Sequence, residues 1–174
     1  FVNNSIGDTQ YRDEHRRVGV LLVQIVDDRY FEEGSVVSSF GERAFKESSI
    51  RSITLPATAR TFNYYSNTGG SGGGPLALSG VFSNCADLEQ VIFETREDGT
   101  SDLTTINYFM FQNCTNLKDI TLPKSVTTIA QEAFSGCSSL ASISVPSSVK
   151  SISTKAFKDC VGLQTLTFEK DDDG

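Results

Sequence analysis

The chain has 174 residues and a formal net charge of −7, with 15 basic residues scattered among 22 acidic ones. Nucleic-acid binding depends on clustered lysine and arginine side chains that displace the counterions of phosphates, so this balance argues against a nucleic-acid partner. The longest apolar run, residues 18–26, has the length of a strand and is too short to cross a bilayer, which argues against membrane insertion.

Residues 1–35 fit a repeating pattern less well than the rest of the chain. The spacing of Ile6 and Tyr11 matches an Ile-to-Phe spacing that recurs later, and residues 18–23 have strand character. Terminal repeats must cover one open end of a repetitive core and usually depart from the consensus. We therefore interpret residues 1–35 as a degenerate N-terminal repeat or cap.

The following sequence repeats with a period of 23 residues. The motif F-x-x-C-x-x-L occurs four times, and a copy without cysteine spans residues 44–62. Phe45 and Phe82 are 37 residues apart, which is 23 plus 14, and Phe82 and Phe111 are 29 apart, which is 23 plus 6. The pattern predicts five repeats over residues 36–168, with insertions near 63–77 and 94–100 and an acidic tail at 169–174.

Each repeat contains a short alternating segment that predicts a strand. In residues 117–123 the pattern turns Ile120 and Leu122 inward and Asp119 outward, and the proline ends the strand. Residues 131–137 are too few for a stable isolated helix and are expected to form one helical turn that directs Ala133 and Phe134 inward. Stacked copies then place Phe on Phe, Leu on Leu and Cys on Cys.

The pattern L-x-x-I-x-L-P-x-x-V-x-x-I-x-x-x-A-F-x-x-C resembles the BspA-like, treponemal-type class of leucine-rich repeats over residues 36–168. The resemblance implies an α/β repeat fold, a right-handed leucine-rich-repeat solenoid with short parallel strands on its concave face and short strands or helical turns on its convex side. It also implies an extracellular or cell-surface protein with a role in adhesion and in binding host or matrix proteins.

The four cysteines, at positions 85, 114, 137 and 160, allow three interpretations. Equivalent positions in stacked strands lie about 5 Å apart, which is within the range of disulfide Cα separations. Regular repetition at one core position favours a column of buried, reduced thiols. A zinc site is disfavoured because the sequence has no C-x-x-C pair or cysteine–histidine cluster. We predict the reduced column, with no metal and no cofactor.

Catalysis is disfavoured by the residue inventory. The single histidine, His15, lies outside the regular repeats, and nothing in the sequence places a nucleophile beside it. The acidic pairs at 27–28 and 32–33 are explained by solvation, and the glycine-rich residues 68–75 lack the lysine of a phosphate-binding loop. Two N-glycosylation sequons begin at Asn3 and Asn113 and matter only if a eukaryotic cell exports the chain.

The outward face of the strand series is the main candidate binding surface. Small polar side chains solvate a sheet, and they also offer hydrogen bonds to an extended partner. Tyr64 and Tyr65, beside the first insertion, are a second candidate because tyrosine is enriched in binding patches, although packing against the repeats explains them equally well. Seven of the ten strand-face residues are Ser or Thr: Ser52, Thr54, Gln90, Ile92, Asp119, Thr121, Ser142, Ser144, Thr165 and Thr167.

These observations predict a non-enzymatic module that binds a protein or glycan ligand, as a monomer or as part of a longer array. The alternative is a structural spacer array that carries a functional domain outside this chain. The two hypotheses differ in what lysine substitutions on the strand face should do, because a binding module loses its partner and a spacer does not.

Overall fold

The computed structural model describes residues 5–6, 37–64 and 79–170. These residues contain short parallel strands and no helix. The strands are β1 (Ser5–Ile6), β2 (Ser39–Phe40), β3 (Ser52–Leu55), β4 (Thr61–Phe62), β5 (Gln90–Phe93), β6 (Thr105–Ile106), β7 (Asp119–Ile120), β8 (Thr128–Ile129), β9 (Ser142–Val145), β10 (Ser151–Ile152) and β11 (Thr165–Phe168).

The first strand series consists of β3, β5, β7, β9 and β11. It forms a three-stranded sheet in the order β3-β5-β7 and a two-stranded sheet of β9 and β11, with β7 next to β9 where the two sheets meet. In β5, Val91 and Phe93 are buried while Gln90 and Ile92 are exposed. This alternation follows from the two-residue period of a strand with one face on the core.

The second strand series consists of β1, β2 and β4 in one sheet and of β6, β8 and β10 in another. The last residues of β2, β4, β6 and β8 point into the core: Phe40, Phe62, Ile106 and Ile129 are buried, and the rings of Phe40 and Phe62 stack at 4.6 Å between centroids. The last residue of β10, Ile152, is exposed. β1 pairs in parallel with β2, with Ser5 opposite Ser39. The interpretation of residues 1–35 as a cap also depends on residues outside the described ranges and stays a prediction.

The segments predicted to form helical turns are hydrogen-bonded turns instead. Ala133 and Phe134 are buried, as expected. However, Glu132 and Gly136 both have left-handed backbone conformations, with φ of 55° and 77°, which a right-handed helix does not allow. The N–H groups of Phe134 and Gly136 donate to carbonyls of the next repeat rather than within their own turn. The helical turns of the predicted α/β fold are therefore not confirmed, since the described residues contain no helix.

The core is built from columns of identical side chains. The rings of Phe82, Phe111 and Phe134 stack with centroid separations of 5.4 Å, and the column continues to Phe45 on one side and Phe157 on the other. Cys85, Cys114 and Cys137 are buried and Cys160 is half-buried, all as free thiols. The predicted stacking of Phe on Phe is confirmed, and the repeats that contain Phe82, Phe111 and Phe134 are buried by the repeats on either side.

The second insertion forms a compact turn beside the next repeat. The backbone N–H of Arg96 donates to the carbonyl of Thr100 at 2.8 Å. Gly99 has a φ of 78°, a conformation that favours glycine. The carbonyl of Gly99 accepts a hydrogen bond from the backbone N–H of Lys124. The insertion thus leaves the strand register between β5 and β7 intact.

Candidate binding surface

The outward residues of the first strand series form two rows. Within the three-stranded sheet Ser52 lies opposite Gln90, Gln90 opposite Asp119, and Thr54 opposite Ile92. In the two-stranded sheet Ser142 pairs with Thr165 and Ser144 with Thr167, while Thr121 directly follows β7. The structure therefore brings the ten strand-face residues of the sequence analysis onto one face. We call this surface the strand face.

Most of the strand face is accessible to solvent. Ser52 and Thr54 are half-buried and the other eight residues are exposed. Ser144 donates to a carboxylate oxygen of Glu169 at 2.9 Å. Among the described residues, the side chains of Thr54, Thr121, Ser142, Thr165 and Thr167 make no hydrogen bond to other protein groups. Their hydroxyls are positioned to donate to and accept from a ligand.

Hydroxyl groups elsewhere in the repeat have a structural role. Thr58, Ser125 and Ser148 each lie two residues after a proline and donate to a backbone carbonyl of the preceding repeat, at 3.0, 2.8 and 2.7 Å. These bonds satisfy carbonyls that the short second strands leave unpaired. Serine and threonine therefore serve two purposes in this chain, and the strand-face residues are the ones turned toward solvent.

Charged residues flank the strand face where the strands begin. The ammonium group of Lys118 lies 2.7 Å from a carboxylate oxygen of Glu89, and both side chains are exposed. The hydrogen bond and charge of Lys118 lower the pKa of Glu89, with a smaller contribution from Arg51. Sequence reasoning missed these residues, although they occupy one repeat position, directly before the first outward residue of each strand.

The tyrosine candidates are divided by the structure. Tyr64 is described and exposed, whereas Tyr65 lies outside the described residues. Tyr64 contacts Tyr108, with ring centroids 4.8 Å apart and ring planes tilted by 36°. Tyr108 comes from the next repeat, 44 residues along the chain. It was not predicted, because the two insertions near 63–77 and 94–100 both lie between the rings and conceal their equivalent repeat positions.

The cysteine column has a regular hydrogen-bond pattern. Each thiol donates to the carbonyl of a phenylalanine in the preceding repeat, for example Cys114 to Phe82 at 3.2 Å and Cys137 to Phe111 at 3.1 Å. Burial raises the pKa of all four thiols above its usual value. A protonated thiol in such a site is a poor nucleophile and a poor metal ligand, which agrees with a core role.

Residues 5–6, 37–64 and 79–170 contain no group of three or more His, Cys, Asp or Glu side chains arranged to hold a metal ion. His15 and the acidic pairs at 27–28 and 32–33 lie outside these ranges. Within the part of the chain that the structure describes, no helix is long and apolar enough to span a membrane.

The sequon at Asn113 coincides with a structural position. Asn113 has a φ of 57° and its amide donates to the side-chain oxygen of Asn84 at 2.9 Å. Asn84 occupies the same position in the preceding repeat and is also left-handed, with a φ of 60°. Asparagine tolerates this conformation better than most residues, which explains its presence without a glycan.

Comparison with known families decides the classification. The model of the BspA type leucine rich repeat region matches residues 29–69 and 78–172, in six copies. The chain belongs to this family. A search among curated proteins finds no match to the chain.

Solved structures share the leucine-rich-repeat fold of this BspA-type chain. A leucine rich cell surface protein from Faecalibacterium prausnitzii is 24% identical, with a TM-score of 0.64 over 85% of this chain and 33% of its own. A leucine-rich repeat protein from Bacteroides ovatus is 25% identical, with a TM-score of 0.55 over 76% of this chain and 30% of its own. The T. pallidum leucine rich repeat protein is 23% identical, with a TM-score of 0.54 over 94% of this chain and 58% of its own. The chain spans about a third of the length of the first two.

Proposed function

We propose that this BspA-type module binds an extended segment of a protein ligand along its strand face, in an adhesion-like role on a surface or secreted protein. The observation that carries the proposal is the set of strand-face hydroxyls that have no hydrogen-bond partner among the described residues, those of Thr54, Thr121, Ser142, Thr165 and Thr167. The F. prausnitzii protein of similar fold is described as a cell surface protein, which supports the proposed location.

The dimensions of the strand face suit a short peptide. Five neighbouring parallel strands span about 20 Å, because adjacent strands lie about 4.8 Å apart. An extended peptide rises about 3.3 Å per residue, so about six residues cross the face. Ile92, 44% exposed, provides an apolar contact in the middle of polar neighbours. A buried apolar anchor surrounded by hydrogen bonds is the usual anatomy of such an interface.

We further propose that the repeats stack as a right-handed solenoid with the strand face on its concave side. The parallel pairing of successive strands and the fold of the structural relatives support this arrangement. A concave face lets one ligand contact several repeats at once, and it is the surface that repeat proteins commonly use for binding.

The test is a variant in which Thr121, Ser144 and Thr167 are replaced by lysine. Binding to an immobilised panel of extracellular matrix proteins is measured by surface plasmon resonance. We expect at least one matrix protein to bind the native module, and the variant to lose about tenfold or more in affinity, since a central interface contact contributes more than about 1 kcal/mol. The melting temperature should stay unchanged because all three positions face solvent.

The matched control places the same three charges on the second strand series. Thr61 in β4, Thr104 directly before β6 and Ser151 in β10 are exposed there, and their replacement by lysine changes the net charge equally. The control should retain binding. If both triple variants bind as the native module does, the strand face is not the site and the spacer alternative gains support. If both lose binding equally, the effect comes from net charge.

A further inference from the structure

The dipeptide Asn-Tyr occurs twice in the chain, at the same position of two repeats. Residues 63–64 follow β4 and residues 107–108 follow β6. The equivalent positions after β2, β8 and β10 carry Gly41-Glu42, Ala130-Gln131 and Ser153-Thr154. The aromatic pair is therefore a local feature of two repeats and is not part of the repeating core pattern.

The structure places the two dipeptides side by side. The Tyr64 and Tyr108 rings are 37% and 40% exposed, with 4.8 Å between their centroids. β4 and β6 belong to different sheets, and the amide of Asn107 bridges them by donating to the carbonyl of Phe62 at 2.5 Å. Asn63, which precedes Tyr64 in the chain, is exposed. Among the described residues, neither tyrosine hydroxyl has a hydrogen-bond partner.

The backbone under Tyr108 is held firmly. The next residue, Phe109, is buried and left-handed, with a φ of 56°. Its carbonyl accepts a hydrogen bond from the hydroxyl of Ser83 at 2.9 Å, and its N–H donates to the carbonyl of Gln131. A Cβ atom at Gly80 would lie 2.4 Å from the same carbonyl, so the two repeats are in close contact there. A ring on such a support loses little conformational entropy when a ligand binds.

We propose that Tyr64 and Tyr108, with the amides of Asn63 and Asn107, form a binding site for a neutral, β-linked oligosaccharide. One face of a β-linked pyranose presents C–H groups, which pack on an aromatic ring, while its rim carries hydroxyl groups. Asparagine amides and tyrosine hydroxyls can both donate to and accept from such hydroxyls. With 4.8 Å between their centroids the two rings overlap, so each covers part of one face of the other, and the outer face of the pair is the surface open to a sugar ring.

Size argues against a folded protein as the ligand of this site, and charge argues against an anionic glycan. A stable protein interface buries about 800 Å² on each partner, which exceeds what two half-exposed rings and two amides provide. The net charge of −7 opposes an anionic glycan. The site lies beside the second strand series and shares no residue with the strand face, so this inference does not depend on the proposed function.

The test is isothermal titration calorimetry with cellohexaose as the probe and an anionic hexamer of galacturonic acid as the comparison. The native protein should bind cellohexaose saturably and the anionic hexamer much more weakly. Tyr64→Ala and Tyr108→Ala should each lower the affinity by about tenfold, equivalent to about 1.4 kcal/mol. Tyr108→Phe keeps the ring and should retain most of the affinity. Because the chain has five tyrosines and no tryptophan, quenching of tyrosine fluorescence provides an independent signal.

Two controls separate this site from the rest of the molecule. Thr154→Ala changes the same position after β10, away from the pair, and should leave cellohexaose binding unchanged. The triple lysine variant of the strand face should also bind cellohexaose normally, even if it has lost a protein ligand. Circular dichroism confirms that each variant is folded, and Tyr64→Phe with Tyr64→Ala repeats the comparison if Tyr108→Ala does not fold.

Three results would overturn the proposal. They are the absence of saturable cellohexaose binding to the native protein, equal affinity for the anionic hexamer, and alanine variants that bind as tightly as the native protein. If the alanine variants lose a matrix protein and no sugar binds, the pair is part of a protein interface and the glycan assignment is wrong.

Discussion

The repeat that contains Phe134 and the repeat that contains Phe157 have nearly the same sequence pattern but differ in burial. Phe134, Cys137 and Leu140 are fully buried, whereas the equivalent Phe157, Cys160 and Leu163 are half-buried. In the strands the contrast is larger: Ile143 and Val145 of β9 are buried, and Leu166 and Phe168 of β11 are 37% and 66% exposed. The same residue type in the same repeat position therefore has no fixed environment.

Hydrogen bonds explain how neighbouring repeats produce this difference. The N–H of Phe134 donates to the carbonyl of Ala156, and the thiol of Cys160 donates to the carbonyl of Phe134, so both bonds join one repeat to the next. The side chains of the Phe134 repeat are buried because a repeat packs against each of its two sides. The comparison teaches that stability in this fold belongs to the interface between repeats more than to the repeat itself.

The largest expected effect is the removal of a ring from the middle of the phenylalanine column. Phe134 is stacked at 5.4 Å on both Phe111 and Phe157, so Phe134→Ala leaves a cavity that should cost about 3–5 kcal/mol. Phe157→Ala removes a half-buried ring with one stacking partner among the described residues and should cost about half as much, in proportion to the apolar area it buries. Urea unfolding followed by circular dichroism measures both. Equal losses of unfolding free energy in the two variants would show that burial by the neighbouring repeat does not determine how much each ring contributes to stability.

A smaller loss is expected where a left-handed turn meets the next repeat. Gly136 has a φ of 77°, and a Cβ atom there would lie 2.4 Å from the side-chain oxygen of Asn113. Gly136→Ala should destabilise the protein by about 1–3 kcal/mol, through backbone strain and this clash. Asp159 takes the same position in the following repeat with a φ of 58° and already has a side chain. Asp159→Ala should therefore cost much less.

The clash and the strain can be separated by a second substitution. Asn113→Ala removes the oxygen that the new Cβ would contact, so Gly136→Ala should cost less in the Asn113→Ala background than in the native protein. The difference between the two costs is a coupling energy, measured from four unfolding curves. A coupling of zero assigns the whole loss to backbone strain at residue 136.

Sequence periodicity predicts the parts of this fold that depend on burial. The phenylalanine and cysteine columns and the alternation of β5 and β9 follow from apolar residues at fixed spacings, because only a stacked core needs such regularity. Membership of the BspA-type family agrees with that prediction, and so do the parallel strands. Eight of the ten strand-face residues are exposed for the same reason, and their role in binding stays a proposal.

The turns were harder to predict, because their conformation is not encoded in residue type. Arg43, Glu132 and Lys155 all adopt a left-handed backbone, which residues of these types seldom do, so the sequence favours a helical turn that the structure does not contain. The hydrogen bonds between repeats stabilise the unusual conformation. Tyr108 was missed for a different reason: its partner is 44 residues away, and only the repeated Asn-Tyr dipeptide marks the pair.

The thiols test the comparison without perturbing the core. Cys114 and Cys137 are buried, and Cys160 is half-buried. With a chromogenic disulfide reagent at neutral pH, Cys160 should react about tenfold faster than the other cysteines, because reagent access and thiolate formation both need solvent. Cys160→Ser should abolish the fast phase. Denaturation of the native protein should expose four reactive thiols. Fewer than four would indicate disulfides and contradict the reduced column.

The smallest effect concerns stability in alkali. Burial raises the pKa of the Cys137 thiol, so the folded state keeps this proton after the unfolded chain has lost it. The stabilisation is complete below the unfolded pKa of about 8.5 and falls as the pH rises above it. Between pH 7 and pH 9 each fully buried thiol should lower the free energy of unfolding by about 1 kcal/mol.

Serine substitutions assign that loss to individual thiols. The position accepts a hydroxyl, since Ser48 occupies it in the repeat without cysteine and lies 3.4 Å from the sulfur of Cys85. Cys137→Ser removes a titrating group, so its free energy of unfolding should fall less between pH 7 and pH 9 than that of the native protein. Cys160→Ser should change the pH dependence less, because a half-buried thiol is less desolvated than a buried one. If the two variants show the same pH dependence, the next repeat does not control the environment of the thiol, and the contrast between the covered and the exposed repeat does not extend to electrostatics.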